Sequence, residues 1–210
     1  MGIDWESARW INPPRQHRTT EAAVEIVTEP GTDLWQRTYY GFRNDNAPAL
    51  LLERASDFTF TVRADFAYRE QFDQCGVLVY LDGENWCKAC VEYEAGAHSR
   101  LGSVVTNHGH SDWATSDIVT PSAMRFRLSR RGPDFLIEAA PPGRAFEQLR
   151  IFHLHRLGET TAEMGAAQPP LPTDRPVRFG LFACSPKRST FAARFSSFAL
   201  EPCAWQPHGS

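Results

Sequence analysis

"FDQCGVLVYLDGENWCKACVEYE", residues 72–94, holds two runs of side chains joined by Asp82-Gly83-Glu84-Asn85. Extended runs on either side of a short Gly-containing turn form the pattern of a β-hairpin. The first run, through Cys75, Val77, Leu78, Val79 and Leu81, is apolar on both sides and predicts a strand covered on both faces. The second run sets Cys87, Ala89, Val91 and Tyr93 on one face and Trp86, Lys88, Cys90 and Glu92 on the other. A face merely turned to water has no need of Trp and Cys between Lys and Glu. Pairing Leu81 with Trp86 across a four-residue turn brings Tyr80 opposite Cys87, Leu78 opposite Ala89 and Gly76 opposite Val91. In that register Leu81, Val79, Val77 and Cys75 are the neighbours of Trp86, Lys88, Cys90 and Glu92. Two charged side chains then stand in an apolar patch, and a slip of one residue would exchange their partners.

Working outward, the same period of two recurs, while helical periodicity hardly appears. Strands are predicted over 22–29, 50–54, 57–68, 101–107, 123–132, 134–140, 147–156, 177–184 and 190–201. The clearest is DFTFTVRADFAY (57–68), which alternates Phe58, Phe60, Val62, Ala64 and Phe66 with Thr59, Thr61, Arg63 and Asp65. With the hairpin this gives roughly ten strands separated by turn signals, the pattern of an all-β, two-sheet antiparallel β-sandwich or jelly roll. There is no internal repeat and no break in composition, so residues 1–210 are expected to form a single domain. One long gap, LGETTAEMGAAQPPLPTDRP (157–176), reads as a loop with room for a helical turn in TTAEMGA; such a loop is either a lid or a plain excursion.

At 42% hydrophobic and 22% charged residues the composition is that of an ordinary globular protein. A formal net charge of −3 argues against a dedicated nucleic-acid binder. The opening MGIDWESARW lacks the apolar core of a signal peptide, and the longest apolar run is about Cys75–Leu81, a strand's length. Five cysteines, an odd number, suit reduced thiols in a cytoplasm better than a disulfide framework. The chain is therefore expected to be cytoplasmic, without nucleic-acid or membrane partners. G-x-S-x-G, P-loop and dinucleotide fingerprints do not occur, and no cofactor is expected. Homo-oligomerisation and a protein partner stay open.

Several smaller constellations invite chemistry. "NHGHSDW" (107–113) contains His108-x-His110-x-Asp112, and His153-x-His155 would put a second pair of rings on one side of a strand. The full ligand spacings of known metal motifs are missing, so both pairs read as loop and core histidines and no metal is expected. Cys87 and Cys90 form a C-x-x-C, but three residues along a strand point to opposite faces, which favours two packed thiols. In AMRFRLSRRG (123–132), Arg125 and Arg127 oppose Met124, Phe126 and Leu128, with Arg130 and Arg131 in the following turn. Arg127 is either a solvated side chain or an anion clamp on the same open face as Glu92. "SPKRST" (185–190) reads as a basic loop at a rim where ligands enter.

"TDLWQRTYYGF" (32–42), residues 72–94, "SVVTNHGHSDW" (103–113) and "RFGLFACSPKRSTFAARFSSFAL" (178–200) together resemble the regulation-of-enolase protein family in order and spacing, from about Trp10 to Leu200. The resemblance implies a concanavalin-A-like sandwich, the fold of legume lectins and several glucanases, and supplies no assigned reaction. Carried over position by position, the family's recurring polar and aromatic residues are Trp35, Asp73, Gln74, Trp86, Lys88, Glu92, Ser111, Asp112 and Trp113. Cys75 and Cys90 stand where the family more often has Ala or Gly.

Two functions follow as expectations. In the first, the open face walled by Trp86, Val77 and Val79 binds a small molecule or sugar. Trp113 or Trp35 stacks on a ring, and Asp73, Gln74, Lys88 and Glu92 supply hydrogen bonds. In the second, Glu92 is a general base and Lys88 or Asp112 a general acid of a lyase, isomerase or glycoside hydrolase in the same pocket. Whether the protein is an enzyme stays open at this stage.

Overall fold

A computed structural model describes residues 3–162 and 175–206. Among them are two seven-stranded sheets and a two-stranded ribbon. The first sheet runs in the order β1 (Arg9–Ile11), β6 (Ala49–Arg54), β15 (Val177–Cys184), β8 (Gln74–Asp82), β9 (Asn85–Ala95), β10 (His98–Asn107), β11 (His110–Val119). The second runs β14 (Glu147–His153), β13 (Asp134–Ala140), β12 (Ala123–Arg131), β7 (Phe58–Phe66), β16 (Ala192–Glu201), β3 (Ala23–Val27), β2 (His17–Thr19). The ribbon pairs β4 (Leu34–Gln36) with β5 (Arg43–Asp45). Neighbouring strands in both sheets are antiparallel, so the chain is the expected all-β sandwich.

Alternation does the sorting. Along β7 the Phe and Val side chains enter the space between the sheets while Thr61, Arg63 and Asp65 face outward. There Phe58 stacks on Phe179 of β15 at 3.9 Å between ring centroids, with Phe60, Phe126, Phe135 and Phe195 packed in the same cluster. Each such wholly buried ring contributes about 1.5–3 kcal/mol, which makes this layer the main source of cohesion between the sheets. Arg130, expected in a turn, belongs to β12 and is fully buried, its guanidinium donating to the carbonyls of Gly132, Arg54 and Ala55 at 2.9–3.0 Å.

Five strands lack an alternating signature. Four of them, β1, β2, β4 and β5, are three residues each, and β11 is an edge strand exposed along most of its length. Most of the 157–176 loop, with the helical turn expected over 160–166, lies outside the described residues. No helix among the described residues is long and apolar enough to cross a membrane.

The opening hairpin departs from its expected register by one residue. Tyr80, not Leu81, lies opposite Trp86, and the series continues Leu78–Lys88, Gly76–Cys90 and Gln74–Glu92. The turn is tighter than expected: Asp82 pairs with Asn85, and Asp82 Oδ1 accepts from the Glu84 amide at 2.9 Å and from Asn85 Nδ2 at 2.8 Å. The register shifts between Tyr80 and Asp82, so Leu81 is absorbed as a bulge. That one residue inverts the faces of β8. Cys75, Val77 and Val79 join Cys87, Ala89 and Val91 between the sheets, and Val77 and Val79 cannot wall an open pocket.

Candidate functional site

The outer face of the first sheet is not simply solvated. Leu34 and Trp35 of β4 lie over Trp86, Leu78, Cys90, Val104 and Phe182 and close a second, smaller apolar cluster. This explains Trp and Cys beside Lys and Glu: part of that face is a second core. Ser111 fixes the ribbon to β11, its Oγ accepting from the Gln36 amide at 2.9 Å and bonding the Thr106 hydroxyl at 2.8 Å. Where the ribbon stops short, a cavity of about 410 Å³ opens above Lys88, Cys90 and Glu92. Its floor is low because Cys90 has Gly76 and Gly102 as cross-strand neighbours, positions without side chains. Both glycines are forced: a Cβ at Gly76 would lie 2.0 Å from the Ala89 carbonyl oxygen and one at Gly102 2.7 Å from that of Ala114.

Lys88 is 3% exposed and its Nζ lies 3.2 Å from Asp33 Oδ1. Asp33 is itself held, its amide donating to Asn46 Oδ1 at 2.8 Å and its Oδ1 accepting from the Leu34 amide at 2.7 Å. Burial works against the charge on Lys88, but Asp33 and the other acidic neighbours outweigh it and push its pKa above the ordinary lysine value. The group is a fixed cation. Glu92, two residues along, is pushed up to about 7 by burial, with Lys88 pulling it down and Asp33 adding to the rise. Gln74, itself buried, donates from Nε2 to Glu92 Oε2 at 2.9 Å and to the Phe72 carbonyl at 3.1 Å, which sets the carboxyl's orientation. Burial also raises the Cys90 thiol, leaving it a weak donor to Gln74 Oε1 rather than a nucleophile.

The walls are aromatic. Trp35 and Tyr40 meet edge to face at 5.5 Å, Phe42 stacks on Tyr40 at 5.5 Å, and Trp113 stands across the opening on β11. Phe72 and Lys187 complete the rim, with Lys187 Nζ 5.1 Å from the Phe72 ring and 2.6 Å from Gln71 Oε1. The SPKRST loop thus supplies Pro186 and Lys187 to the opening.

Of the residues expected at the site, Lys88, Glu92, Gln74, Trp35 and Trp113 line this cavity together. Four do not. Trp86 is fully buried, its Nε1 donating to the Gly83 carbonyl at 3.3 Å, because Leu34 and Trp35 of the ribbon cover that end of the strand face. Asp73 organises a loop: its Oδ2 accepts from the amides of Arg69 and Glu70 and from Ser189 Oγ at 2.9–3.0 Å. Asp112 pairs in register with Val105, whose side chain faces the inter-sheet core, and reaches Arg150 of β14 at 3.1 Å; it is on the wrong face to be an acid for Glu92. Arg127 lies on the outer side of the second sheet, its Nε 2.6 Å from Glu138 Oε2, so no anion clamp forms with Glu92.

Sequence reasoning passed over Asp33, Tyr40, Phe42, Asn44 and Phe72, all of which line the cavity. The available signal was the aromatic run Tyr39-Tyr40-Gly41-Phe42, three rings around a glycine in a stretch too short and polar to bury them. The two histidine pairs are split differently from their spacing. His108 and His155 stack at 3.5 Å between centroids, His155 Nδ1 lies 2.8 Å from Asn107 Oδ1, and His153 Nδ1 lies 2.8 Å from Asp134 Oδ1. Among the described residues no group of three or more His, Cys, Asp or Glu is arranged to hold a metal ion.

Residues 10–203 match the family described as "Protein of unknown function (DUF1349)". The chain belongs to that family. It is 30% identical over 193 residues to "Regulation of enolase protein 1" of Saccharomyces cerevisiae, covering 91% of this chain and 87% of the yeast protein. A crystal structure of a functionally unknown protein from Saccharomyces cerevisiae superimposes with a TM-score of 0.80 at 27% identity, covering 97% of this chain and 100% of that one. More distant likenesses, of fold alone, are to parts of larger proteins. A xylan β-1,4-xylosidase from Bacillus halodurans C-125 gives a TM-score of 0.63 at 11% identity, over 85% of this chain and 32% of that one. The GH43 protein BlXynB from Bacillus licheniformis gives 0.61 at 16% identity, over 85% and 32%. Identities this low establish a shared sandwich fold and nothing of activity.

Proposed function

We propose that the cavity above Lys88 and Glu92 binds a small sugar or sugar-like metabolite, with the protein acting as a cytoplasmic binding module. The observation that carries this reading is the pairing of aromatic walls with a polar floor whose groups are held in place by their neighbours. A volume of about 410 Å³ falls in the range of small-molecule sites, and an apolar lining with a few fixed polar groups is what gives such sites orientation. Trp113, part-exposed at the margin, offers a face for the C–H side of a sugar ring, and the mostly buried Trp35 contributes an apolar wall. Lys88 has three N–H donors and gives one to Asp33, while Glu92 accepts from Gln74 through Oε2 and keeps Oε1 for a hydroxyl. The likeness to parts of a xylan β-1,4-xylosidase and of a GH43 protein supports a carbohydrate-related reading at the level of the fold.

Titration calorimetry with D-xylose, D-glucose, D-galactose and D-glucuronate tests it. At least one should bind, and Trp113→Ala should weaken that sugar about 2- to 10-fold, the worth of one ring-stacking contact. No heat with any of the four would reject the reading.

A second reading is favoured by Glu92 alone. A carboxyl with a pKa pushed up to about 7 can give or take a proton at neutral pH, as a general acid or base must. Lys88, locked by Asp33, would then stabilise developing negative charge and not donate the proton. Loss of the bound sugar on prolonged incubation, abolished by Glu92→Gln, would favour this enzyme; recovery of unchanged sugar would favour the binder.

A further inference from the structure

We infer that the cavity is the inner end of a longer binding path, and that the aromatic loop at residues 37–42 forms an outer subsite for the next ring of an oligosaccharide. This rests on the sugar-binding reading above and extends it to the size of the ligand. Tyr39 is 94% exposed, Tyr40 55% and Phe42 46%. A single exposed ring is ordinary, but a contiguous exposed apolar patch marks a contact surface, and these three are contiguous: Tyr39 meets Tyr40 edge to face at 5.0 Å, and Tyr40 meets both Phe42 and Trp35 at 5.5 Å. The aromatic surface therefore begins inside the cavity at Trp35 and continues out to Tyr39. A ligand of one ring would cover only its inner half.

The loop's backbone points the same way. Arg37 and Tyr39 have φ of 56° and 62° and Gly41 has 78°, so two side-chain-bearing residues sit in the left-handed region within three positions. That conformation is unfavourable for an arginine and a tyrosine and persists only where the surroundings hold it. Here they do. Arg37 donates to the Gly109 carbonyl at 2.7 Å and to Glu84 Oε1 at 2.9 Å, and Arg43 reaches the same Glu84 oxygen at 2.8 Å. Backbone bonds from the Arg37 amide to the Phe42 carbonyl (2.9 Å) and from the Gly41 amide to the Arg37 carbonyl (2.6 Å) close the turn. A loop tied to two other turns, yet holding a tyrosine almost entirely in solvent, is built to present that ring. Fixing it beforehand removes the ordering entropy that a flexible loop would lose on binding. A β-1,4-linked chain suits the surface, because its successive rings offer flat C–H faces to a row of aromatic side chains.

The test compares affinities for D-xylose and xylotriose, and for D-glucose and cellotriose, in the natural protein and in Tyr39→Ala. The exposed position makes Tyr39→Ala safe for folding, and a thermal melt confirms it. At least one trisaccharide should bind about 2- to 10-fold more tightly than its monosaccharide, the gain expected of one added stacking contact, and Tyr39→Ala should bring that ratio back towards one. A trisaccharide that binds no more tightly than its monosaccharide, or a ratio untouched by Tyr39→Ala, overturns the outer subsite while leaving the cavity reading intact. No binding of any monosaccharide or trisaccharide overturns the cavity reading itself, and the subsite with it.

Discussion

Replacing Glu92 by Gln should stabilise the protein, and by an amount that grows with pH. The carboxyl's pKa is about 7 in the folded chain against an ordinary value of 4.5, raised chiefly by burial. Below pH 4.5 the proton is bound in both folded and unfolded chains, and Glu92 carries no penalty. Between pH 4.5 and 7 the unfolded chain releases its proton while the folded chain keeps it, so stability falls as pH rises. Above pH 7 the loss is complete. At about 1.4 kcal/mol per pKa unit it amounts to roughly 3 kcal/mol. Gln has the size of the protonated acid, carries no charge, and its carbonyl can still accept from Gln74 Nε2, the bond Glu92 makes at 2.9 Å. Urea unfolding of both proteins from pH 4.5 to pH 8.5 reads the effect directly. The two midpoints should coincide at the acid end and separate through pH 7, with the Gln protein the more stable at pH 8. A separation that stays constant across the range, or a Gln protein less stable at pH 8, would refute the claim that burial outweighs Lys88 in setting this carboxyl.

Asp33→Asn should destabilise by about 3–5 kcal/mol, since it leaves Lys88 buried without its counter-charge, and adding Lys88→Met should restore most of the loss; urea midpoints measure both. Gly76→Ala should cost about 3 kcal/mol or more, because the added methyl meets the Ala89 carbonyl and not a movable side chain; a thermal melt reads it. Asp112→Asn and Arg127→Ala should leave affinity for any sugar bound by the natural protein unchanged in calorimetry, since neither side chain reaches the cavity.

The sandwich was legible because most of its strands alternate, as Phe58 to Phe66 shows most clearly. Strands of three residues cannot display a period, and β11 has few apolar residues to place, so the ribbon and the sheet edge were silent. Within the site, Lys88 and Glu92 were readable as companions because residues i and i+4 of one strand share a face whatever the partner does. Which residues stand opposite depends on the turn. There the bonds from Asp82 to Glu84 and Asn85 shorten the connection by one step and absorb Leu81. Nothing local to the strands announces that choice. Asp33 was invisible for another reason: its meeting with Lys88 spans 55 residues and depends on how the ribbon folds over the sheet.

The same ribbon accounts for the division of tryptophans. Trp86, Lys88 and Glu92 alternate down one strand face, yet the ribbon covers the Trp86 end and leaves the Glu92 end open. An indole under cover, as at Trp86, packs the ribbon onto the sheet; an indole at the margin, as at Trp113, is available to a ligand. Lys88 sits at the boundary, and its ion pair with Asp33 ties the start of the ribbon to the floor of the cavity. This contact therefore bears on the cavity's charge and, beside the Ser111–Gln36 bond, on the position of the ribbon. A change that releases Asp33 should free the Lys88 charge and remove one of the ties that hold the aromatic walls, so the polar and apolar halves of this site are coupled through that contact.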